Sequence, residues 1–430
     1  MKLSHTTAKI NPSIDGKEVT IAGWVQAVRV KGKLLFLVLR DSYGTVQITC
    51  FKPKVPEIFE ILAHVTRESS IAVRGHVKAH KEAPGGAEIN PEEVEILSAA
   101  ETPLPFDPFA DFIDTKKDTR FDWRFLDLRN PKSLAYHKLR SEVIFAVSNY
   151  MREQGFTFWT TPKVLGQSSE GGADVFSVDW YGKDAFLAMS PQLHKQALAG
   201  NTGTKFFEIT PYFRAEKSRT RRHLAEFTGI DVEIPFSTEE DVYPIAEGIV
   251  KTAADTLKAH PKELEIIGTE IPEIEVPFER ISYDRCVEML NEAGVEMKWG
   301  EDFSTEQERK LGELVGKPFF VYQFPKEVAK FYVRGVEGEP KKAHAFDLIY
   351  KIELTSGAWR ENRYDKLVSN LKEKGLDPEN FKAYLDFFRY GCAPHAGFGM
   401  GIERLLVVLL DAPDVQEVVA FPRTVDRLAP

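Results

Sequence analysis

The sequence has few cysteines and no long apolar run. Its 430 residues include only three cysteines, Cys50, Cys286 and Cys392, which are far apart and form no CxxC pair. This spacing indicates neither a disulfide framework nor a zinc site, and it suits a reducing cytoplasm. No stretch approaches the ~20 apolar residues of a membrane span, and the N-terminal residues lack the apolar core of a signal peptide. We therefore expect a cytoplasmic protein without a membrane segment.

The sequence also has no excess of positively charged residues. The formal net charge is -9 at pH 7, which argues against indiscriminate coating of nucleic acid, because such binding relies on many Lys and Arg side chains that neutralise phosphates. Local basic patches remain effective, since screening acts over about 8 Å at physiological salt. No internal repeat or low-complexity run is present. A chain of this length and apolar content is expected to form two or three globular domains.

Residues 17–98 have the pattern of a small β-barrel. Five short stretches rich in β-branched and aromatic residues are separated by turn signals, with one helical segment from Pro56 to His64. Five strands with an intervening helix are typical of an OB fold, which binds single-stranded nucleic acid by stacking bases on exposed aromatic side chains. Phe36 and Gln47 are the candidate contacts, although Phe36 within an apolar strand is equally consistent with the barrel core.

The most informative stretch is 206–236, FFEITPYFRAEKSRTRRHLAEFTGIDVEIPF. Its two ends alternate apolar and polar residues, which predicts two β-strands. The segment between them has too much positive charge for a tight hairpin turn and suits a loop that meets an anion such as phosphate. Arg214, Glu216 and Phe227 lie at the root of this loop, so a cation, an acceptor and an aromatic face converge, which suits a nucleotide. The alternative is that the arginines are solvated surface and that Phe227 belongs to the core.

An earlier segment carries further candidate ligand-binding groups. Glu170 stands beside two glycines that allow a loop to fold over a ligand, although an ordinary turn explains the same residues. Gln192 and Lys195 are three apart and share one face of a predicted helix start, with Ser190 just before them. The alternative for this second group is an exposed helix start.

The C-terminal part contains oxygen ligands, a planar cation and a glycine-rich turn. Asp347 and Glu353 on a predicted strand pair, with Ser356 nearby, suit Mg²⁺ held against phosphates. Arg360 supplies a planar cation for a carboxylate. The string GFGMGIER allows close backbone approach and places Arg404 at the start of an apolar helix that must be buried. By itself, a GxGxER string is a weak signal.

Together these segments resemble the three signature motifs of class II aminoacyl-tRNA synthetases, in family order. The amphipathic helix predicted from Leu134 to Gln154 and the strand after it resemble motif 1, the dimer-forming element. Phe213 to Phe227 resembles motif 2, and GFGMGIER resembles motif 3. The N-terminal segment is similar to the anticodon-binding domain of the aspartyl, asparaginyl and lysyl enzymes.

The resemblance implies an α+β protein with two domains. The expected organisation is an OB-fold barrel at 1–100, a proline-containing linker at 101–130, and a catalytic domain at 131–430 in which helices flank an antiparallel sheet. An insertion is expected at about 240–340, and its three predicted helices show no chemistry, so only a structural or tRNA-acceptor role is expected of it.

The resemblance further implies ATP, Mg²⁺, an amino acid and tRNA as ligands. The residues implied in catalysis are Arg214, Glu353 and Arg404. Those implied in ATP binding are Arg214, Ala215, Glu216, Arg222, His223, Leu224, Phe227, Glu353, Gly401, Ile402, Glu403 and Arg404. Those implied in amino-acid binding are Glu170, Ser190, Gln192, Lys195, Arg214, Asp231, Ser356 and Arg360. Those implied in metal binding are Asp347, Glu353 and Ser356.

Lys195 favours aspartate as the amino acid. In aspartyl enzymes a lysine at this place meets the substrate side chain, whereas asparaginyl enzymes usually have another residue. If Lys195 and Arg360 both face the side chain, a neutral amide would leave buried positive charge unpaired, at a cost of several kcal/mol. The expected function is ATP-dependent attachment of L-aspartate to tRNA through an aspartyl-adenylate, by a homodimer of the archaeal aspartyl type.

Two rival functions stay open. The loop EKSRTRRHLAEF looks more like asparaginyl than aspartyl enzymes, so an asparaginyl-tRNA synthetase is the near alternative. A synthetase-like paralogue that makes free asparagine, or that only binds RNA, is the distant one. The OB segment argues against a paralogue that makes free asparagine. The retained Arg214, Glu216 and Arg404 argue against one that only binds RNA.

Two details depart from the closest family pattern. The spacing of Asp347 and Glu353 is one residue shorter than in the relatives, which makes Asp347 the less certain metal ligand. Discriminating aspartyl enzymes tend to have a Trp where Gln26 stands and a Lys where Pro84 stands. Pro84 therefore implies relaxed tRNA choice, so that tRNA-Asp and tRNA-Asn would both receive aspartate, while Phe36 and Gln47 would read the central anticodon base.

Overall fold

The computed structural model describes residues 2–109, 115–166, 175–215, 217 and 222–430. The chain divides into two compact units, Met1–Thr115 and Lys116–Pro430. Each unit has its own core.

The first unit is a closed five-stranded barrel with strand order β1-β2-β3-β5-β4, which confirms the predicted OB fold. The helix α1 lies where the sequence predicts it. The bounds are β1 Glu18–Lys31, β2 Leu34–Arg40, β3 Thr45–Phe51, α1 Pro56–His64, β4 Ser70–Ala79 and β5 Ala87–Ser98, with 3-10 turns at Thr7–Lys9, Pro12–Ile14 and Pro84–Gly86.

Alternation along the barrel strands separates core from surface. In β2 the residues Leu35, Leu37 and Leu39 are fully buried, and the residues between them are partly exposed. Because successive side chains of a strand point to opposite faces, Phe36 and Val38 lie on the outer face of the barrel. Phe36 is therefore not part of the barrel core.

The second unit is built on a mixed sheet flanked by helices. Its helices are α2 Lys117–Asp122, α3 Arg124–Asp127, α4 Pro131–Glu153, α5 Gln192–Thr202, α6 Glu239–Lys258, α7 Pro261–Ile267, α8 Tyr283–Glu292, α9 Thr305–Val315, α10 Tyr364–Glu373, α11 Lys382–Asp386 and α12 Ile402–Leu410, with a 3-10 turn at Pro378–Phe381. Its strands are β6 Thr157–Phe158, β7 Val164–Leu165, β8 Ser177–Trp180, β9 Lys183–Leu187, β10 Phe206–Phe213, β11 Glu226–Pro235, β12 Glu279–Ser282, β13 Phe319–Tyr322, β14 Gly335–Val336, β15 Glu339–Ala343, β16 Ala345–Tyr350, β17 Ile352–Trp359 and β18 His395–Gly401.

Eight of these strands form one sheet in the order β12-β13-β16-β17-β18-β11-β10-β6. The neighbours from β13 to β10 are antiparallel, and only the two outermost pairs, β12 with β13 and β6 with β10, are parallel. The two strands predicted around the basic loop are β10 and β11, which pair from Phe206 opposite Glu233 to Phe213 opposite Glu226. The antiparallel catalytic sheet expected from the sequence is thus present, with a parallel strand added at each edge.

The segment predicted as a linker at 101–130 is partly helical. Residues 117–122 and 124–127 form α2 and α3, and they belong to the second unit. Arg120 and Arg124 are buried there, where Arg120 makes bidentate pairs with Asp127 and Glu417, and Arg124 also pairs with Asp127. These ion pairs tie the segment to the C-terminal part of the chain, which no local sequence pattern indicates.

Replacing Arg120 is expected to destabilise the second unit. In Arg120→Met, both Asp127 and Glu417 lose a buried partner, and breaking a buried ion pair from one side costs about 3–5 kcal/mol. The matched control is Arg285→Met, because Arg285 pairs with Glu288 and Glu292 on the exposed surface, where such pairs contribute less than about 1 kcal/mol. Thermal and urea unfolding of both variants measures the difference. Equal midpoints would contradict the anchoring role.

Residues 240–340, which the sequence predicts as an insertion, pack into the second unit. They supply β12 and β13 to the eight-stranded sheet, and α6 packs on α4. Helices α8 and α9 cover a core of their own with the edge of the sheet. The sequence predicts only helices in this region. The strands β12 and β13 gave no clear local pattern, because they are four residues each and pair with strands that are distant in sequence.

Two expectations from the sequence, on disulfides and on membrane-spanning helices, can be compared with the described residues. All three cysteines are buried and free. Among the described helices, none combines the length and the apolar character that crossing a bilayer requires.

Candidate active site

A cleft of about 440 Å³ opens on the sheet of the second unit. Its floor comes from β11, β17 and β18, one wall comes from α5 and the root of the basic loop, and the other wall comes from residues 302–333. The cleft collects most of the predicted ligand-binding residues that the structure describes. These are Ser190, Gln192, Lys195, Arg214, Arg222, His223, Leu224, Phe227, Asp231, Asp347, Glu353, Ser356, Arg360, Gly401, Glu403 and Arg404.

Lys195 lies at the closed end of the cleft and is only 1% exposed. It projects from α5, and its Nζ donates to Asp231 Oδ1 at 2.9 Å and to the carbonyl oxygen of Phe398 at 2.9 Å. Burial raises the pKa of the Asp231 carboxyl, and the charge of Lys195 opposes this shift only in part. The lysine is thus held in place by two strands of the sheet.

Arg360 lies beside Lys195 and is paired as well. Its Nε and Nη2 donate to the two oxygens of Glu233 at 3.0 and 3.2 Å, so the pair is bidentate. Although burial favours the protonated form of Glu233, Arg360 and then Lys195 lower its pKa. Glu233 Oε2 is also 3.6 Å from Lys195 Nζ. The four side chains form one buried group of two cations and two carboxylates.

This arrangement corrects one step of the sequence argument. The expected selection of aspartate requires that Lys195 and Arg360 lack a partner until the substrate carboxylate binds. In the structure each already has a carboxylate partner, Asp231 and Glu233 respectively. A neutral substrate side chain would therefore leave neither cation unpaired. The reason for the error is that Asp231 and Glu233 alternate along β11 on the cleft side of the strand, which places two acids directly below the two cations.

The cleft retains an unused donor near the lysine. Gln192 is 5% exposed at the start of α5, and its Nε2 is buried without a hydrogen-bond partner among the described residues. A buried amide group that lacks a partner costs free energy, which a ligand acceptor would recover. Gln192 therefore marks a place for a carboxylate or carbonyl oxygen.

Arg404 and Glu353 meet at the more open end of the cleft. Arg404 Nη1 lies 3.2 Å from Glu353 Oε2 and also donates to the carbonyl oxygen of Glu353 at 3.1 Å. Burial, followed by the charges of Arg404, Arg214 and Arg222, lowers the pKa of His223 to about 4. His223 is therefore neutral at pH 7, and the three arginines around it make this end of the cleft suited to an anion.

Asp347 and Ser356 face each other across β16 and β17. The register shifts between Leu348 and Ile349, so that Asp347 pairs with Ser356 while Ile349 pairs with Glu353. Burial, and next the charge of Glu353, raise the pKa of Asp347 well above its ordinary value. Two carboxylates thus share the cleft, and their mutual repulsion favours a cation between them.

Residues 302–333 supply groups that the sequence analysis missed. Glu308 of α9 pairs with Arg222 and accepts a hydrogen bond from the backbone N–H of Glu353 at 3.3 Å. Burial and then Glu353 raise the pKa of Glu308. Asp302 lines the same cleft. The sequence signal was weak, because Glu308 lies in a charged helix whose acids resemble a solvated face.

Some predicted residues have side chains that do not face the cleft, and some are not described. Leu224 lines the cleft although it is buried, whereas Ile402 is fully buried and does not line it, so any contact of Ile402 with a nucleotide would involve its backbone. Ala215 is half-buried at the loop root. Glu170 and Glu216 lie outside the described residues.

The family model for class II tRNA synthetases (D, K and N) matches residues 116–425, and the model for the OB-fold nucleic acid binding domain matches residues 19–97. The chain belongs to the class II tRNA synthetases.

Relatives of this synthetase carry two kinds of name. A protein of Methanopyrus kandleri, 45% identical over 99% of both chains, is named aspartate–tRNA(Asp/Asn) ligase. One of Thermococcus kodakarensis, 43% identical over 100% of both chains, is named aspartate–tRNA(Asp) ligase. A solved structure, the asparaginyl-tRNA synthetase of Pyrococcus horikoshii with asparaginyl-adenylate, has a TM-score of 0.94 at 36% identity, with 100% of both chains covered. The fold is thus common to aspartyl and asparaginyl enzymes.

The barrel of this synthetase presents two of its four predicted anticodon residues on one surface. Phe36 on β2 is opposite Thr49, and Gln47 on β3 is opposite Val38, so Phe36 and Gln47 are diagonal neighbours on the outer face. Gln47 Nε2 donates to Glu88 Oε2 at 3.1 Å. Because a carboxylate only accepts, this bond fixes the amide so that its oxygen is free to accept elsewhere.

The other two residues lie at irregular places of the barrel. Gln26 stands where the register of β1 and β2 shifts between Val25 and Ala27, and its Oε1 is buried with no hydrogen-bond partner in the described part of the chain. Pro84 is exposed at the start of the turn before β5, followed by Gly85 with φ 73°. Pro84 offers neither a charge nor an N–H to an RNA base.

Proposed function

We propose that this synthetase activates L-aspartate with ATP and transfers it to tRNA. The observation that carries the proposal is the buried group at the closed end of the cleft, where Lys195, Arg360 and the unpartnered Gln192 amide gather donors around a space next to the arginines of the open end. The relatives named aspartate–tRNA ligases cover the chain from end to end.

The chemistry needs positioning and charge neutralisation, not a protein nucleophile. Arg214 and Arg404 would hold a bent triphosphate, and Phe227 would stack under the adenine. The α-carboxylate of aspartate would then attack the α-phosphorus in line, form the mixed anhydride and expel pyrophosphate. In the second step the terminal ribose hydroxyl of tRNA would attack the carbonyl carbon and release AMP. Electrostatic stabilisation of the phosphorus centre is the main protein contribution in such transfers.

Mg²⁺ fits this proposal through a small number of protein ligands. Within the described residues no group of three or more His, Cys, Asp or Glu side chains is placed to hold a metal. Mg²⁺ at nucleotide sites is usually bound by one or two carboxylates together with the phosphates. Glu353 and Asp347, with Ser356 beside them, would supply that set; burial and then the charge of Glu353 raise the pKa of Asp347, and a bound cation would oppose both effects. The ion would neutralise phosphate charge.

Selection of aspartate over asparagine then depends on the hydrogen-bond donors around the substrate side chain more than on the net charge of the buried group. Lys195, Arg360 and the Gln192 Nε2 would donate to the substrate side chain, and a carboxylate accepts at both of its oxygens whereas an amide accepts at one. A site built to satisfy particular hydrogen bonds rejects an analogue that cannot make them by large factors, about 10³-fold or more.

ATP–pyrophosphate exchange with single amino acids tests the proposed substrate. We expect exchange with aspartate and a rate near background with asparagine, because a carboxylate offers two acceptor oxygens to these donors and an amide offers one. Free-asparagine synthesis is tested in the same reaction by adding ammonia and analysing the products. Exchange that proceeds equally well with asparagine would refute the aspartate proposal and favour the asparaginyl alternative.

Relaxed tRNA choice is the second part of the proposed function. Pro84 cannot offer the charged contact that a lysine would make to the last anticodon base, so tRNA-Asp and tRNA-Asn transcripts are both expected to be charged with aspartate. The matched variant is Pro84→Lys, which should lower charging of tRNA-Asn more than that of tRNA-Asp. Absence of aspartylation of tRNA-Asn above background would end this part of the proposal.

A homodimer is the proposed assembly. Helix α4, which resembles motif 1, leaves Phe145 67% exposed, and Phe158 on the edge strand β6 is 50% exposed. Exposed large aromatic side chains beside an open sheet edge are typical of an interface. Sedimentation of the wild type should give the mass of two chains, and Phe145→Asp should shift it toward one.

A further inference from the structure

A partly buried ion pair joins helix α4 to both halves of the proposed nucleotide site. Arg140 projects from α4, and its Nη2 donates to Glu403 Oε1 at 2.8 Å and to Thr228 Oγ1 at 2.7 Å. Glu403 is the second residue of α12, and Thr228 lies in β11. One guanidinium group therefore contacts two elements that are distant from it in sequence.

Glu403 is committed to these contacts. It is 3% exposed, and both of its oxygens accept from the backbone N–H of Thr228 at 3.1 Å. With Arg140 on the same carboxylate, both oxygens of Glu403 already accept hydrogen bonds from the protein at the edge of the cleft. Glu403 is one of the residues that the family resemblance implies in ATP binding, and these contacts hold its side chain next to Arg404.

The two residues held by Arg140 are the immediate neighbours of the proposed adenine contacts. Thr228 follows Phe227, and Glu403 precedes Arg404. Next to them, β11 and β18 pair with Gly229 opposite Gly401. The distance between the aromatic face of Phe227 and the guanidinium of Arg404 is therefore set by a local unit of Thr228, Glu403 and Arg140.

We infer that Arg140 is a positioning residue for ATP, which acts through Glu403 and Thr228 to fix the spacing of Phe227 and Arg404. This inference rests on the proposed role of Phe227 and Arg404 in binding ATP. Arg140 itself does not line the cleft. It also connects α4, which carries the exposed Phe145, with the nucleotide site, so that the proposed dimer helix and ATP binding share one contact.

Substitution of Arg140 is expected to impair the binding of ATP and not that of aspartate. Without Arg140, the backbone N–H of Thr228 is the partner that Glu403 keeps among the described residues, and a buried carboxylate that has lost its cation shifts toward water. A displacement of about 1 Å at such a site costs up to 10²-fold in rate. The aspartate end of the cleft is held separately by Asp231 and Glu233, so it should not respond.

The experiment compares Arg140→Met, Arg140→Lys and Glu403→Gln with Arg152→Met, a control at an exposed position of the same helix. Steady-state exchange is measured with ATP varied and then with aspartate varied. Arg140→Met should raise KM for ATP about tenfold and leave KM for aspartate within about twofold. Arg140→Lys should recover part of the loss, because an ammonium still pairs with Glu403. The control should match the wild type.

The coupling between Arg140 and Glu403 provides a second criterion. If both act through one contact, the double variant Arg140→Met with Glu403→Gln should raise KM for ATP no further than the worse single variant. Equal increases for both substrates, additive effects, or an unchanged KM for ATP in all variants would overturn the inference. Arg404→Met, measured in parallel, distinguishes failure of the Arg140 inference from failure of the proposed ATP site. If Arg404→Met also leaves KM for ATP unchanged, the proposed ATP site and the inference that rests on it both fail.

Discussion

Lys195→Met is expected to lower kcat/KM for aspartate in ATP–pyrophosphate exchange by about 10³-fold or more. The substitution removes the ammonium donor at the closed end of the cleft and keeps a side chain of similar length. It also leaves Asp231 without its cation, since Lys195 Nζ is the 2.9 Å partner of Asp231 Oδ1. An uncompensated carboxylate next to the substrate carboxylate would repel it, so loss of attraction and new repulsion act in the same direction.

The controls for this variant separate chemistry from stability. Loss of a buried cation destabilises by about 3–5 kcal/mol, so the unfolding midpoint must be measured and the assay run well below it. Lys183→Met, at an exposed position of β9, is the matched lysine change and should keep full activity. KM for ATP in Lys195→Met should change little. If aspartate use is unchanged in a folded Lys195→Met protein, the proposed amino-acid pocket is wrong.

Arg404→Met should reduce kcat/KM for ATP by about 10²–10³-fold, the usual effect of removing one preorganised donor that stabilises transferring charge. Arg404 lies at the start of α12 with its Nη1 3.2 Å from Glu353 Oε2. Its removal takes away a phosphate contact, and it also releases the proposed metal ligand Glu353 from its ion pair. Loss of the phosphate contact weakens triphosphate binding, and the uncompensated Glu353 carboxylate would also repel the phosphates. The aspartate end of the cleft keeps its own partners.

Arg389→Met is the appropriate control for Arg404→Met. Arg389 pairs with Asp386 on the exposed surface, and such pairs contribute at most about 1 kcal/mol. Exchange kinetics with ATP varied should show a large effect for Arg404→Met and none for Arg389→Met. An effect on KM for aspartate that is as large as that on KM for ATP would place Arg404 at the wrong end of the cleft.

Local patterns in the sequence predicted the elements of this fold well. The barrel strands and α1 follow from period-two alternation and turn residues, and α1 has the predicted bounds Pro56–His64. The helix predicted from Leu134 to Gln154 is α4, Pro131–Glu153, which begins after the capping side chain of Asn130. These features depend on neighbours in sequence, which is why the sequence alone was sufficient.

Features that depend on distant partners were not predictable. The pairing of Arg120 with Glu417, and of Arg360 with Glu233, joins residues far apart in the chain. Reading Arg360 as a cation without a partner was therefore reasonable from sequence and wrong in the fold. The same holds for Glu308, since only the fold brings α9 to the basic loop.

The hairpin of β16 and β17 that carries Asp347 and Glu353 contains a register shift. The register shift between β16 and β17 places one additional residue of β17 between Ser356 and Glu353 relative to the opposite strand. A bulge of this kind redirects side chains locally, and both carboxylates line the cleft despite the shorter spacing. The sequence showed the irregularity, but only the paired strands show that Asp347 still faces Glu353's end of the cleft.

Charging of a tRNA-Asp transcript in an equimolar mixture of aspartate and asparagine, with the esterified amino acid identified by mass spectrometry, tests the central claim most directly. If the donors around Lys195 and Arg360 select a carboxylate, the product is aspartyl-tRNA with asparaginyl-tRNA at background. A product that contains asparagine in equal or greater amount would contradict the account.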